Sequence, residues 1–217
     1  MSPTEHVLGK SAPAAGRHGP SFARWLALLT VAVALLLPLP AAAKRQISHY
    51  EIRNSKIGGG FTLTNQFGKK TSLAAFKGKT VVLNFGYTHC PDICPTTLAE
   101  LNRVLAKLGK NAQAVRVLFI TVDPARDTAA HLKGYLAYFN KDIVGLTGSE
   151  ENIRKVASLY STAFRKMEGK SKAGYVVAHT GFIYLLNSHG KVKYILPHDA
   201  GHKLVLDGVR RLLKEKA

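Results

Sequence analysis

Cys90 and Cys94 stand in the stretch THCPDICPTT, Thr88 to Thr97, and they are the only cysteines in the chain. Three residues separate them, and a proline follows each one. Thiols this close could form a structural bridge, a redox pair or part of a soft-metal site. A staple gains most by closing a long loop, and a three-residue spacer removes little chain entropy, so the structural bridge is the weakest reading. Pro95-Thr96-Thr97 opens a stretch with Leu98, Leu101, Val104, Leu105 and Leu108 at helical spacing, which places the cysteines at a helix start. An i, i+4 pair there has both sulfurs on one side of the turn, with Cα atoms about 6 Å apart, a separation a disulfide tolerates. Backbone N–H groups at the helix start favour negative charge and lower thiol pKa; the thiolate is both nucleophile and metal ligand.

Spacing tilts the balance between the remaining uses. Dedicated dithiol oxidoreductases carry Cys-x-x-Cys, and a third intervening residue widens the bite to suit two thiolates on one metal. Two sulfurs leave Cu(I) or Zn(II) under-coordinated, and imidazole suits either as a further ligand. Nine histidines compete for that role. His89 adjoins Cys90, and a residue beside a ligand usually points elsewhere. His6 and His18 precede the domain, His131 falls within a helix, and His189 lies in a hairpin turn. His198 and His202 flank a glycine-containing loop and read as surface residues.

The elements that must position these groups follow from periodicity. GGGFTLTNQFGKKTSL reads as a β-hairpin, with Phe61 and Leu63 alternating with Thr62 and Thr64. TVVLNFGY, Thr80 to Tyr87, is a continuous apolar run expected of a strand covered on both faces, and AVRVLFITV, Ala114 to Val122, is a second. Asp127-Thr128 is expected to cap a helix running to about residue 139, with Asp123, Arg126 and Asp127 read as strand-end and capping residues. A short strand spans 143–146, Ser149 caps another helix, and a polar loop covers 168–172. GFIYLLNSHGKVKYIL forms two strands about a turn, and a last helix covers 202–214. This order predicts one α/β domain over residues 57–217: a thioredoxin-like fold with a central mixed sheet flanked by helices, plus the N-terminal β-hairpin. Such folds place a cis-proline in the loop entering the C-terminal hairpin, against the active-site cysteines. Here VVAHTG offers His179 at that address.

The segment before the domain reads differently. Residues 1–24 are rich in Ser, Pro, Ala and Gly without apolar periodicity and are expected to be a disordered tail. Residues 25–43 hold an apolar run from Trp25 to Leu37 and then Ala41-Ala42-Ala43, the parts of a signal peptide or of a single transmembrane anchor. Residues 44–56 are expected as a linker. Either reading of 25–43 exports the domain, and the periplasmic side of a bacterial inner membrane fits best. The whole chain carries 31 Lys/Arg against 13 Asp/Glu; without residues 1–43 the balance is 28 against 12, or +16 on 174 residues. In an exported protein that charge points to an anionic membrane surface or an acidic protein partner rather than to nucleic acid.

FGYTHCPDICPTTLAEL resembles the Sco/SenC family of copper-binding thioredoxin-fold proteins, and FITVDPARDT, GLTGS and VAHTGFIYLLN match its further blocks in order. The similarity covers about residues 57 to 197. The resemblance implies copper, as Cu(I) or Cu(II), held by Cys90, Cys94 and His179. It implies a metallochaperone that delivers copper to the binuclear copper site of cytochrome c oxidase subunit II, supplied by an upstream periplasmic copper donor. The alternative is a thiol-disulfide oxidoreductase in which Cys90 and Cys94 keep that site's cysteines reduced. One departure stands out: the family usually has an acidic residue before the histidine, and this chain has Ala178. Carboxylates behind a ligating imidazole orient it and set its basicity.

Overall fold

A computed structural model describes residues 46–168 and 174–215. The expected tail and apolar segment, 1–43, lie outside the described residues. No helix among those described is long and apolar enough to cross a membrane.

Seven strands form one mixed sheet in the order β2-β1-β5-β4-β3-β8-β9. β3 (Thr80–Gly86), β4 (Val115–Thr121) and β5 (Val144–Thr147) run parallel at its centre, and the hairpin of β8 (Phe182–Leu186) and β9 (Val192–Pro197) adds antiparallel to β3. The N-terminal hairpin, β1 (Thr62–Asn65) with β2 (Lys70–Ser72), joins the opposite edge through β5. All seven residues of β3 are buried, as its unbroken apolar run requires of a strand covered on both faces.

The strands divide their side chains between two cores. Val82, Val115, Val117 and Phe119 face one side, where α1 (Ile93–Leu108) and α4 (Gly201–Glu215) pack together. Leu132 and Leu136 of α2 (Ala129–Ala137) join that side. Val81, Leu83, Phe85, Leu118 and Ile120 face the other, covered by Ile153, Val156 and Ala157 of α3 (Glu150–Leu159). Helices on both faces of parallel strands give the thioredoxin-like α/β architecture that the element order predicts.

Three local expectations change. Within the segment read as a linker, Ile47–Tyr50 forms a turn of 3-10 helix, and Ile47 is fully buried against the α1–α4 side. Gly208 makes room for it, since a Cβ there would lie 2.4 Å from Leu185 Cδ1 and 3.0 Å from Ile47 Cδ1. Thr128 alone caps α2, its side chain accepting from the His131 N–H, while Asp127 turns inward. His179 ends a strand rather than lying in a loop: β7 (Val176–His179) pairs antiparallel with β6 (Phe164–Met167) in a separate two-stranded sheet.

Candidate metal centre

β3 delivers the chain to the cysteine loop, and α1 begins inside it. Asp92 is the residue before the helix, but its side chain makes no capping hydrogen bond. The Cys94 N–H instead donates to the Cys90 sulfur at 3.4 Å, so that sulfur takes the place of a capping acceptor. Pro95 falls in the first turn, where its missing N–H costs nothing. Cys94 is buried beneath the loop and Cys90 is half-buried; both are free thiols. Gly86, the last residue of β3, lets Cys94 sit this deep. A Cβ at that position would come within 2.6 Å of Phe119 Cε2 and 3.0 Å of Cys94 Sγ.

The two sulfurs differ in protonation. A hydrogen bond from Cys94 is the main reason the Cys90 pKa falls to about 5; the backbone around residues 92–94 also favours its thiolate, and partial burial opposes both. The same contact, together with burial, pushes the Cys94 thiol up, so Cys94 holds its proton. The pair thus carries one thiolate and one thiol near neutral pH.

His179 arrives from the small sheet. Its Nε2 lies 3.9 Å from Cys94 Sγ, and its Nδ1 lies 3.1 Å from the Thr180 carbonyl oxygen. With Nδ1–H donating to that carbonyl, Nε2 keeps its lone pair toward the sulfur. Burial lowers the His179 pKa, which favours the neutral imidazole a metal needs. Metal–sulfur and metal–nitrogen bonds of about 2.3 and 2.0 Å meeting at a trigonal angle put the two ligand atoms about 3.7 Å apart. The Cys94–His179 pair is close to that spacing without any ion. Cys90 and His179 line the same open cleft of about 480 Å³, along with Tyr87, Ile93 and Val176. Cys94 thus touches both Cys90 and His179, while Cys90 and His179 share the cleft without all three donor atoms lying within 4.8 Å of one another.

A second set of contacts, invisible in the sequence, holds His179 there. The Arg126 guanidinium lies 3.8 Å from the Tyr175 ring centroid and donates to the Tyr175 carbonyl oxygen at 3.1 Å. It also pairs with the buried Asp123 carboxylate, which accepts from Tyr175 Oη at 2.7 Å. These bonds tie the loop after β4 to the start of the strand that carries His179. Tyr87 meets the His179 ring edge to face, at 6.2 Å between centroids.

The other histidines divide. His202 pairs with Glu100 at 2.7 Å. His198 is exposed, as its reading implied, yet lines the cleft and packs against Gly181. His131, read only as a helix residue, stacks on His89 with centroids 5.4 Å apart and an interplanar angle of 18°. Asp127, read as a cap, accepts from Thr88 N–H at 3.1 Å, Thr88 Oγ1 at 2.5 Å and Thr121 Oγ1 at 2.6 Å, and so anchors the cysteine loop. A loop residue bonded 39 positions away leaves no local sequence signal.

Known proteins resemble this chain in sequence and fold. SCO2-like protein RC0895 of Rickettsia conorii is 35% identical over 183 residues, covering 82% of this chain and 89% of that protein. The structure of Bradyrhizobium japonicum ScoI with copper bound superposes with a TM-score of 0.66 at 39% identity, covering 72% of this chain and 99% of that one. BsSco, in which a disulfide switch has been identified and which is described as a member of the Sco family of cytochrome c oxidase assembly proteins, matches at TM-score 0.57 and 26% identity over 76% of this chain and 94% of its own. The SCO1/SenC family model matches residues 50–214, from the end of the first 3-10 turn to the last helix, and the chain belongs to that family.

Proposed function

We propose that this chain binds one copper ion through Cys90, Cys94 and His179 and delivers it to the binuclear copper site of cytochrome c oxidase subunit II, from the periplasmic side of a bacterial inner membrane. The observation that carries this reading is the 3.9 Å approach of His179 Nε2 to Cys94 Sγ, with Nδ1 already committed to a backbone carbonyl. Thiolates and imidazole together are a donor set for copper. Copper bound to the ScoI relative, and the description of BsSco's family by oxidase assembly, support the same reading. Copper is cargo here: Cys90 at the cleft can exchange for an incoming thiolate while Cys94 and His179 still hold the ion.

The uneven protonation of the thiols favours a second reading, reduction of the same partner. The Cys90 thiolate would attack a sulfur of the partner disulfide and release one partner thiolate. Cys94 would then lose its proton and attack Cys90 Sγ, releasing the second partner thiol and leaving a Cys90–Cys94 disulfide. The partner gains two electrons and this chain loses two.

One experiment separates the readings. The copper-loaded, reduced protein is mixed with the oxidase subunit II domain whose own cysteines are reduced, and the metal-free, reduced protein with the same domain oxidised. Metal transfer to the reduced partner, read from the visible spectrum of the binuclear site, supports the carrier. Reduction of the oxidised partner by the metal-free protein, with no copper transfer in the copper-loaded mixture, supports the reductase instead.

A further inference from the structure

We infer that His89, His131 and Asp127 form a second metal site, selective for a divalent ion such as Cu(II), beside the cysteine loop. One donor atom from each of these residues lies within 4.8 Å of the others. Asp127 is completely buried, and among the described residues no Lys or Arg pairs with it; its ion-pair contact is His89 Nδ1 at 3.8 Å. Buried charges in proteins are paired or bind metals. Oδ2 of Asp127 accepts from Thr88 N–H and Thr121 Oγ1, while Oδ1 receives only the Thr88 hydroxyl among the hydrogen bonds described. Oδ1 therefore retains acceptor capacity on the side of His89.

The imidazoles converge on the Thr88 hydroxyl, the group that donates to Oδ1, so an ion held by all three residues would take over the contacts this hydroxyl makes. Thr88 Oγ1 lies 3.0 Å from His89 Nδ1 and 3.0 Å from His131 Nε2. Both histidines are exposed and stacked nearly parallel, so small rotations close the set around an ion. Bonds of about 2.0–2.1 Å at a tetrahedral angle need donors about 3.4 Å apart; His89 Nδ1 and Asp127 stand at 3.8 Å and every pair lies within 4.8 Å. Two imidazoles and one carboxylate, without thiolate, suit borderline divalent ions, and the Irving–Williams order puts Cu(II) ahead of Zn(II). The site shares no ligand with the Cys90/Cys94/His179 centre. It does not depend on the function proposed above.

The test uses the full chain with Cys90→Ser and Cys94→Ser, which removes the thiolates, titrated with Cu(II) alone and, separately, Zn(II) alone. The expected result is a Cu(II) equivalent with nitrogen hyperfine splitting in its electron paramagnetic resonance spectrum, bound about ten-fold or more weakly once His131→Ala is added. Zn(II) should occupy the same site with lower affinity. His131→Ala in the otherwise unaltered chain should leave Cu(I) binding at the cysteines unchanged, which shows that the exposed substitution has not disturbed the fold. An isotherm and spectrum indifferent to His131→Ala, or no binding in either protein, would overturn the site.

Discussion

Cys94 donates its backbone N–H to the Cys90 sulfur across 3.4 Å, so the half-buried thiol of the loop doubles as the cap of α1. The same sulfur accepts a side-chain hydrogen bond from Cys94, and its pKa falls to about 5. The sign is that of a depressed acid: Cys90 is a thiolate above about pH 5 and is lost as a nucleophile and ligand only below it. Alkylation of Cys90 in the metal-free protein should hold its rate from pH 8 to about 6 and fall by half near pH 5. In Cys94→Ala, which removes the donor, the midpoint should move upward. A midpoint that stays near the ordinary thiol value in the unaltered chain would show that the capping contact does not select the thiolate.

Arg126 should matter for metal affinity without touching the metal. Its loss would leave the buried Asp123 carboxylate without its ion-pair partner and free the Tyr175 end of β7. Arg126→Ala should cost about 2–3 kcal/mol of stability, as for a hydrogen bond to a buried charge. It should also weaken copper binding by roughly ten-fold, as for a residue behind a ligand. Urea unfolding and a competitive copper titration give the two numbers, and an unchanged affinity would separate Arg126 from the site.

Ala178 departs from the family pattern, yet the imidazole beside it is already oriented by the Thr180 carbonyl. Ala178 faces away from the core and sits opposite Arg165 in the β6–β7 register. Ala178→Asp should therefore stabilise the small sheet by no more than about 1 kcal/mol through that cross-strand pair. Copper affinity should change by less than about ten-fold. A larger gain would mean that the carbonyl does not do the orienting.

The candidate centre can be read from the sequence because its parts obey strong local rules. β3 and β4 are continuous apolar runs, the cysteines follow the first of them, and His179 stands at a fixed address before a clear hairpin. The supports were not legible, for equally physical reasons. Phe164–Met167 leaves three of its four residues exposed, so no inside–outside alternation marks β6 as a strand. Ile47 stands in a short, mostly polar stretch without periodicity, and its burial beside Gly208 shows that it belongs to the core. Asp127 precedes a helix start, where an aspartate ordinarily caps, and Thr128 takes that role instead. Its contacts with Thr88, and those of His131 with Thr88, span 39 and 43 residues, and pairings of that range carry no periodic trace.

Copper stoichiometry of the reduced full chain, measured beside His179→Ala and Cys90→Ala/Cys94→Ala by titration with Cu(I) against a chelator of known affinity, tests the three-ligand set. One tightly held Cu(I) per chain is expected, bound at least about ten-fold more weakly in His179→Ala, which keeps only the two thiolates, and lost in Cys90→Ala/Cys94→Ala, which keeps only the imidazole. Undiminished binding in His179→Ala, or none in the unaltered chain while the thiols still exchange with a dithiol, would contradict it.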